Sequence, residues 1–236
     1  MTNIFTRWHP AVTQTPIIRK GALGLAGLAF AGGAIAGPAA VTTQAAPPAL
    51  PATTSVAQVT QDKPAPTSAK DLGFEYEEQP NAYYCGPAAT RMALTALGQT
   101  PSQDEVAKQL GTTEAGTNSA EDITRVLNGM GGKDVYRTTA IPGKSVSGSE
   151  ADKLKADVVK AIDDNRAVVA NIIGSTTDTD GGEHTFPGGH YLTVVGYRDG
   201  GQAVKIADPW QPVGDGTYWL SVSDLADWAG SRGYSA

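Results

Sequence analysis

Four side chains spread along this 236-residue chain have the types that covalent acyl transfer requires: Gln79, Cys85, His190 and Asp208. Cys85 is the single cysteine. A thiol attacks well only as the thiolate, so an active one needs a helix N-terminus, a cationic partner, or both. Cys85-Gly86-Pro87 opens the segment AATRMALTALG, whose few polar positions predict a buried helix stopped at Gly98, with Pro87 in a first turn where its missing N–H costs nothing. The dipole of that helix favours negative charge at Cys85. His190 can supply an imidazolium, with Asp208 fixing its tautomer, which is the nucleophile, base and orienter logic of acyl transfer. Gln79 stands six residues before Cys85, and the short loop between them can fold its amide back beside the Cys85 N–H as a second oxyanion donor.

Each of the four has a bland reading. A lone cysteine is by default a small buried hydrophobe, His190 a half-buried strand histidine, Asp208-Pro209 ordinary turn chemistry, and Gln79 a surface glutamine. His184 is a competing base, in the loop DTDGGEHTFPGG, a composition that usually goes with mobile, solvated chain. Asp178, Asp180 and Glu183 lie in the same loop but lack the full twelve-residue calcium pattern, so neither metal nor cofactor is expected. Tyr83, Tyr84 and Trp210 are candidates for shaping a substrate pocket, although aromatic core packing is the commoner use.

The positioning elements follow from periodicity and caps. Ser102 with Glu105 and Ser119 with Asp122 start two one-faced helices, and a further helix runs from about Ser149 to Asp164 with Leu154, Val158 and Ile162 at helical spacing. Then the period changes. Ala167 to Ile173 is a short β-branched run, His190–Tyr197 and Gln202–Asp208 alternate, and a strand near Thr217 to Leu220 precedes a short helix from about Ser223 to Trp228. Helices first and an antiparallel sheet afterwards predict an α+β fold. A three-residue loop Arg198-Asp199-Gly200, with Gly200 left-handed, pairs Tyr197 with Gly201. That register sets Leu192 against Ile206, Val194 against Val204, and His190 directly opposite Asp208.

Composition sets the context. Residues 1–36 hold Arg7, Arg19 and Lys20 before an uncharged run, Gly21 to Ala36, that ends in Ala34-Ile35-Ala36, the order of an export signal. The run is about 16 residues and rich in Gly and Ala, short of the roughly 20 strongly apolar ones of a spanning helix, so no stable membrane anchor is expected. Residues 37–70 are mostly Ala, Pro, Thr, Gln and Ser with almost no large apolar side chain and read as a disordered linker. Residues 71–236 then suit one domain. A net charge of −6 without a Lys/Arg run offers no basic stripe for nucleic acid. One cysteine also means no internal disulfide at an oxidising destination. The expectation is a secreted or cell-surface monomer.

With Gln79, Cys85-Gly86-Pro87-Ala88-Ala89, Gly189-His190-Tyr191 leading into VVGY, and Ala207-Asp208-Pro209 in view, the chain from about Asp71 to Ala236 resembles the C39-like peptidase domains of the papain-like cysteine peptidase group. The resemblance implies a papain-like fold, with a central cysteine-bearing helix packed on an antiparallel sheet that carries the histidine and aspartate. It gives Gln79, Cys85, His190 and Asp208 the family's four functional positions and a peptide or protein as substrate. Leader-processing members are commonly fused to a transporter, which is missing here, so cleavage after paired glycines is not carried over. Cell-wall peptide amidase or transpeptidase chemistry on the same machinery, and a non-enzymatic exported binding module, stay open as alternatives.

Overall fold

The structure is a computed structural model and describes residues 68–211 and 214–236. The proposed export signal and all but the end of the linker lie outside the described residues. A two-residue strand, β1 (Lys70–Asp71), comes first, so Lys70, assigned above to the linker, is hydrogen-bonded chain paired with Tyr197.

Three helices follow: α1 (Cys85–Ala96), α2 (Gln103–Leu110) and α3 (Ala120–Gly131). Ser102 and Glu105 form the capping box expected at α2, and Ser119 accepts from the Asp122 N–H at α3. After β2 (Thr138–Ala140) comes α4 (Gly148–Asp163), opened by a second capping box between Ser147 and Glu150. The chain then enters β3 (Val168–Thr177), β4 (Glu183–Arg198), β5 (Ala203–Ala207), β6 (Thr217–Ser221), α5 (Val222–Trp228) and β7 (Gly233–Ser235). The strands order as β2-β7-β3-β4-β5-β6 with β1 on the end of β4, and every pairing is antiparallel.

Side chains alternate across β4, and both of its faces are buried. On one face Tyr191, Val195 and Ala207 pack with Ala89, Met92 and Ala93 of α1 and with the apolar stripes of α2 and α3. On the other, Leu192, Val194, Tyr197, Val204 and Ile206 pack under α4 and α5. Thr193 also donates from Oγ1 to the Ala89 carbonyl at 2.8 Å, which fixes α1 against the middle of β4. This is the α+β, papain-like arrangement expected, and the structure adds that helices cover both faces of the sheet. Among the described residues no helix is long and apolar enough to cross a membrane.

The expected register of the β4–β5 hairpin is wrong. Val194 faces Ile206 and Tyr197 faces Val204, with a bulge between Val194 and Gly196. The connection is longer than three residues: Arg198 pairs with Ala203, and a 3-10 turn spans Asp199–Gly201. Gly200 is left-handed as expected (φ 64°), but Asp199 is too (φ 56°). Binary patterning fails here because both faces are buried. The bulge changes the alternation, so that Tyr197 joins Val194 on one face while Val195 packs on the other.

Candidate active site

Cys85 is the first residue of α1. The helices α2, α3, α4 and α5 each start with a serine whose side chain accepts a first-turn N–H, and each has an acid in that turn. α1 has neither: Tyr84 at its N-cap makes no side-chain cap and no acid lies in its first turn. Its positive end is therefore left to the sulfur. The loop 112–118 presses on this end of the helix. A Cβ on Gly86 would stand 2.3 Å from Thr117 Oγ1, so only glycine admits that contact.

His190 reaches the same place from β4, opposite Ile172 of β3, where the pairing is interrupted by a bulge between Ile172 and Gly174. Gly189, at φ 92°, takes a conformation that side-chained residues rarely adopt and so sets the direction of the next residue. The His190 ring stacks on Phe186, 3.9 Å between centroids and 8° between planes. Its Nε2 meets Asp208 Oδ1 at 2.7 Å. That leaves Nδ1 as the ring nitrogen free for the thiol.

Asp208 is not opposite His190 in the ladder. It lies one residue beyond β5, where its N–H donates to the Gly216 carbonyl at 3.0 Å. The side-chain contact forms because Asp208 is held there on all sides. Oδ1 also accepts from the Trp210 N–H at 2.9 Å, and Oδ2 accepts from the Tyr218 hydroxyl at 2.9 Å. Tyr76 Oη donates to the Asp208 carbonyl at 3.0 Å. The Asp208 side chain is 2% exposed.

These contacts set the protonation states. Burial raises the Cys85 thiol, but the hydrogen bond and charge of His190, with the backbone amides of Tyr191 and Gly86, bring it below its ordinary value. Burial works against the charged form of His190, yet Asp208 and Cys85 raise its pKa to about 9. Asp208 is lowered despite its burial, chiefly by His190. All three directions favour a thiolate beside an imidazolium over a neutral pair.

Gln79 is buried, and its backbone N–H donates to the Pro209 carbonyl at 3.0 Å, tying it to the loop that carries Asp208. One amide hydrogen goes to the Asn81 carbonyl at 2.6 Å, the second N–H has no partner among the described residues, and Gln79 does not line the cavity on which Cys85 opens. The first-turn N–H of Cys85 has no intrahelical carbonyl to meet.

Cys85 and His190 open on a cavity of about 360 Å³, whose walls include Tyr83, the segment 114–118, Asn171, Gly189 and Arg232. Of the three aromatics considered for a substrate pocket, Tyr83 is the one in this wall. Tyr84 instead bonds Asp104 through its hydroxyl, and Trp210 is half exposed. His184 corrects a second expectation: it sits in strand β4, buried, with Nε2 2.9 Å from Asp178 Oδ2 and its ring stacked 3.8 Å from Tyr218. It does not line the cavity. Tyr218, Phe186 and Arg232 carry no signal in the sequence that singles them out, since each role depends on a register or a turn. Among the described residues no three His, Cys, Asp or Glu side chains converge as metal ligands.

The sequence profile described as the Peptidase_C39 like family matches residues 71–234. This chain belongs to that family. Membership makes it a C39-like peptidase, a hydrolase of peptide bonds. No curated protein matches the sequence. Among solved structures, a chain provisionally assigned as a C39-like peptidase from Bacillus anthracis aligns at 13% identity and TM-score 0.49 over 71% of this chain and 96% of its own. The peptidase domain of Streptococcus ComA, a bifunctional ABC transporter of a quorum-sensing pathway, aligns at 17% and 0.45 over 69% and 96%. A double glycine motif protease from an AMS/PCAT transporter, solved with its leader peptide, aligns at 16% and 0.43 over 70% and 91%.

Proposed function

We propose that this C39-like peptidase is an exported cysteine peptidase working through a Cys85–His190–Asp208 triad and a thioester. The Cys85 thiolate attacks a peptide carbonyl carbon, and the C=O electron pair moves to oxygen. The Cys85 N–H and the free N–H of Gln79 Nε2 receive that oxyanion. Collapse expels the amine, which takes its proton from the His190 imidazolium. The neutral ring then deprotonates water, hydroxide adds to the thioester, and the thiolate leaves as the carboxylate product forms. Asp208 keeps Nε2 protonated so that Nδ1 exchanges the proton throughout.

The observation that carries this reading is the 2.7 Å bond from His190 to Asp208, on a ring whose other nitrogen is free for a thiol at an uncapped helix tip. Alkylation by iodoacetamide across pH tests it. Cys85 should react well below the ordinary thiol range and lose that reactivity in His190→Ala; unchanged labelling counts against the triad. Chromogenic peptides run beside a muropeptide digest and an amine acceptor distinguish peptide hydrolysis from cell-wall amidase or transpeptidase chemistry. A molecule that alkylates only like an ordinary thiol and cleaves neither is a binding module. Export rests on the basic stretch and the apolar run ending at Ala36, and a mature N-terminus at Gly37 in the secreted protein is the expected outcome.

A further inference from the structure

The described residues include six arginines, and five of them hold a carboxylate: Arg91 with Glu75 and Glu77, Arg125 with Asp122, Arg137 with Asp134, Arg166 with Asp164, and Arg198 with Asp199. Exposure does not excuse the sixth, because Arg125 and Arg137 are more than half exposed and are paired all the same. Arg232 makes no side-chain hydrogen bond or ion pair among the described residues, and it is the arginine in the wall of the cavity that Cys85 and His190 open on.

Its position is set by the backbone around the histidine. The Arg232 main chain is tied at both ends, its N–H to the Ala229 carbonyl and its carbonyl to the Ile141 N–H. Its Nη2 lies 3.6 Å from where a Cβ on Gly189 would stand, so the glycine before the catalytic ring is also the floor beneath the guanidinium. Tyr191 lines the same cavity, and its hydroxyl feels the charges of Cys85 and Arg232 together with those of Asp122 and Glu121. Glu114 lines the cavity too, out of ion-pair range of Arg232. Apart from the Cys85–His190 pair, the cleft wall thus carries one charge of each sign at separate places.

We propose that Arg232 binds a carboxylate of the substrate, so that this peptidase acts on acidic peptides. The inference rests on the cysteine-peptidase reading above and names its substrate class. A guanidinium presents parallel N–H groups that match a carboxylate in a two-bond fork, and the exposed Arg232 side chain is open to such a partner from the cleft. The carboxylate can come from an Asp or Glu side chain near the scissile bond or from a free chain terminus. Glu114 disfavours a second acid at its own end of the cleft, which confines the preference to positions that reach Arg232.

Short alkylating peptides test this whatever the cleavage site. Peptidyl chloromethyl ketones probe one side of the sulfur and chloroacetyl peptides the other; in both, the thiolate sulfur forms an S–C bond as chloride leaves. Each carries Glu or Gln at one of three positions beside the warhead, and the chloroacetyl set carries a free or an amidated C-terminus. Second-order inactivation rates are measured on the full chain and on Arg232→Gln. At least one acid probe should outrun its amide by about tenfold, as expected for a hydrogen bond to a charged group, and that ratio should fall to about one in Arg232→Gln. A Glu preference identifies a side chain and a free-terminus preference a chain end. Ratios near one throughout, or an acid preference that survives Arg232→Gln, overturn the assignment. If even iodoacetamide labels Cys85 no faster than a free thiol, the enzymatic reading fails and this inference falls with it.

Discussion

The hydroxyl of Tyr218 donates to Oδ2 of Asp208 at 2.9 Å, so the carboxylate that holds His190 by one oxygen is itself held by the other. Burial and the charge of Asp208 both push the Tyr218 hydroxyl well above its ordinary range, which keeps it a donor at every working pH. Tyr218→Phe removes one bond and leaves the ring in its stack with His184. A hydrogen bond to a charged group contributes about 1.5–3 kcal/mol, and only part of that is felt at the sulfur. The expected outcome is a fall in kcat/KM of about tenfold with KM little changed. A variant as active as the parent shows that the Trp210 N–H alone suffices to aim Asp208.

The pH profile follows from the directions of the shifts. Peptide cleavage should rise as pH climbs through the lowered pKa of Cys85 and fall as pH passes about 9, where His190 loses its proton. The same ring affects stability. His190 binds its proton more tightly folded, at about 9 against an ordinary 6.5, so its contribution is complete below pH 6.5 and is lost as pH climbs through 9. Asp208 runs the other way, contributing above the ordinary carboxylate range and losing its share as acid protonates it through its lowered value. Thermal melts should therefore be higher at pH 6 than at pH 10. His190→Ala should flatten that difference, and an equally steep loss in the variant sinks the assignment.

The legible part of this fold is the part whose signals are local. Ser102 and Ser119 mark helix starts by capping chemistry that involves only four residues, and Cys85 at the head of an apolar helix is equally local; the same signal at Ser147 and Glu150 lies just ahead of the start read at Ser149. The sheet is different. Leu192, Val194, Val195, Val204 and Ile206 are all buried, so pattern does not distinguish one register from the next. Asp208 reaches His190 through its N–H bond to the Gly216 carbonyl and the bonds it accepts from Trp210 and Tyr218, which no pattern encodes. Patterning thus pairs the right two side chains through a register that does not exist. His184 reads as loop because Gly and Asp surround it, yet β4 continues through Glu183 because β3 runs on to Thr177 as its partner.

His184 separates a structural histidine from a catalytic one. It bonds Asp178, which is further fixed by the N–H groups of Asp180 and Gly182, and its ring lies under Tyr218 rather than beside the sulfur. His184→Phe keeps the stack and drops the bond to Asp178. It should lower the melting temperature by several degrees, since a lost buried bond to a charged group costs about 1.5–3 kcal/mol and each kcal/mol moves a domain of this size by about 2–4 °C. The Cys85 alkylation profile should keep its low-pH shoulder. Disappearance of that shoulder, as expected for His190→Ala, transfers the role of base to His184.

Gly86 tests how closely the helix tip is fitted. Replacing a helical glycine with alanine ordinarily gains up to about 1 kcal/mol, and Gly86 has no positive φ to forbid it. Against that gain stands a Cβ only 2.3 Å from Thr117 Oγ1 and 2.8 Å from Thr117 Cβ. Thr117 is not free to withdraw cheaply, because its hydroxyl pairs with Thr112 Oγ1 at 2.8 Å and its segment forms a wall of the cleft. Overpacking of this kind costs about 1–3 kcal/mol, so the clash outweighs the propensity and Gly86→Ala should melt lower than the parent. Its effect on cleavage should be larger than on folding, since the displaced groups are the residue after Cys85 and the cleft wall facing it. Thr117→Ala in that background removes the oxygen but keeps the Cβ, and should recover only part of both losses, whereas Thr117→Gly removes the obstacle and should recover most of the activity. A Gly86→Ala protein that melts higher and cleaves normally means that the loop yields, and that the sulfur is positioned by α1 and His190 without help from Thr117.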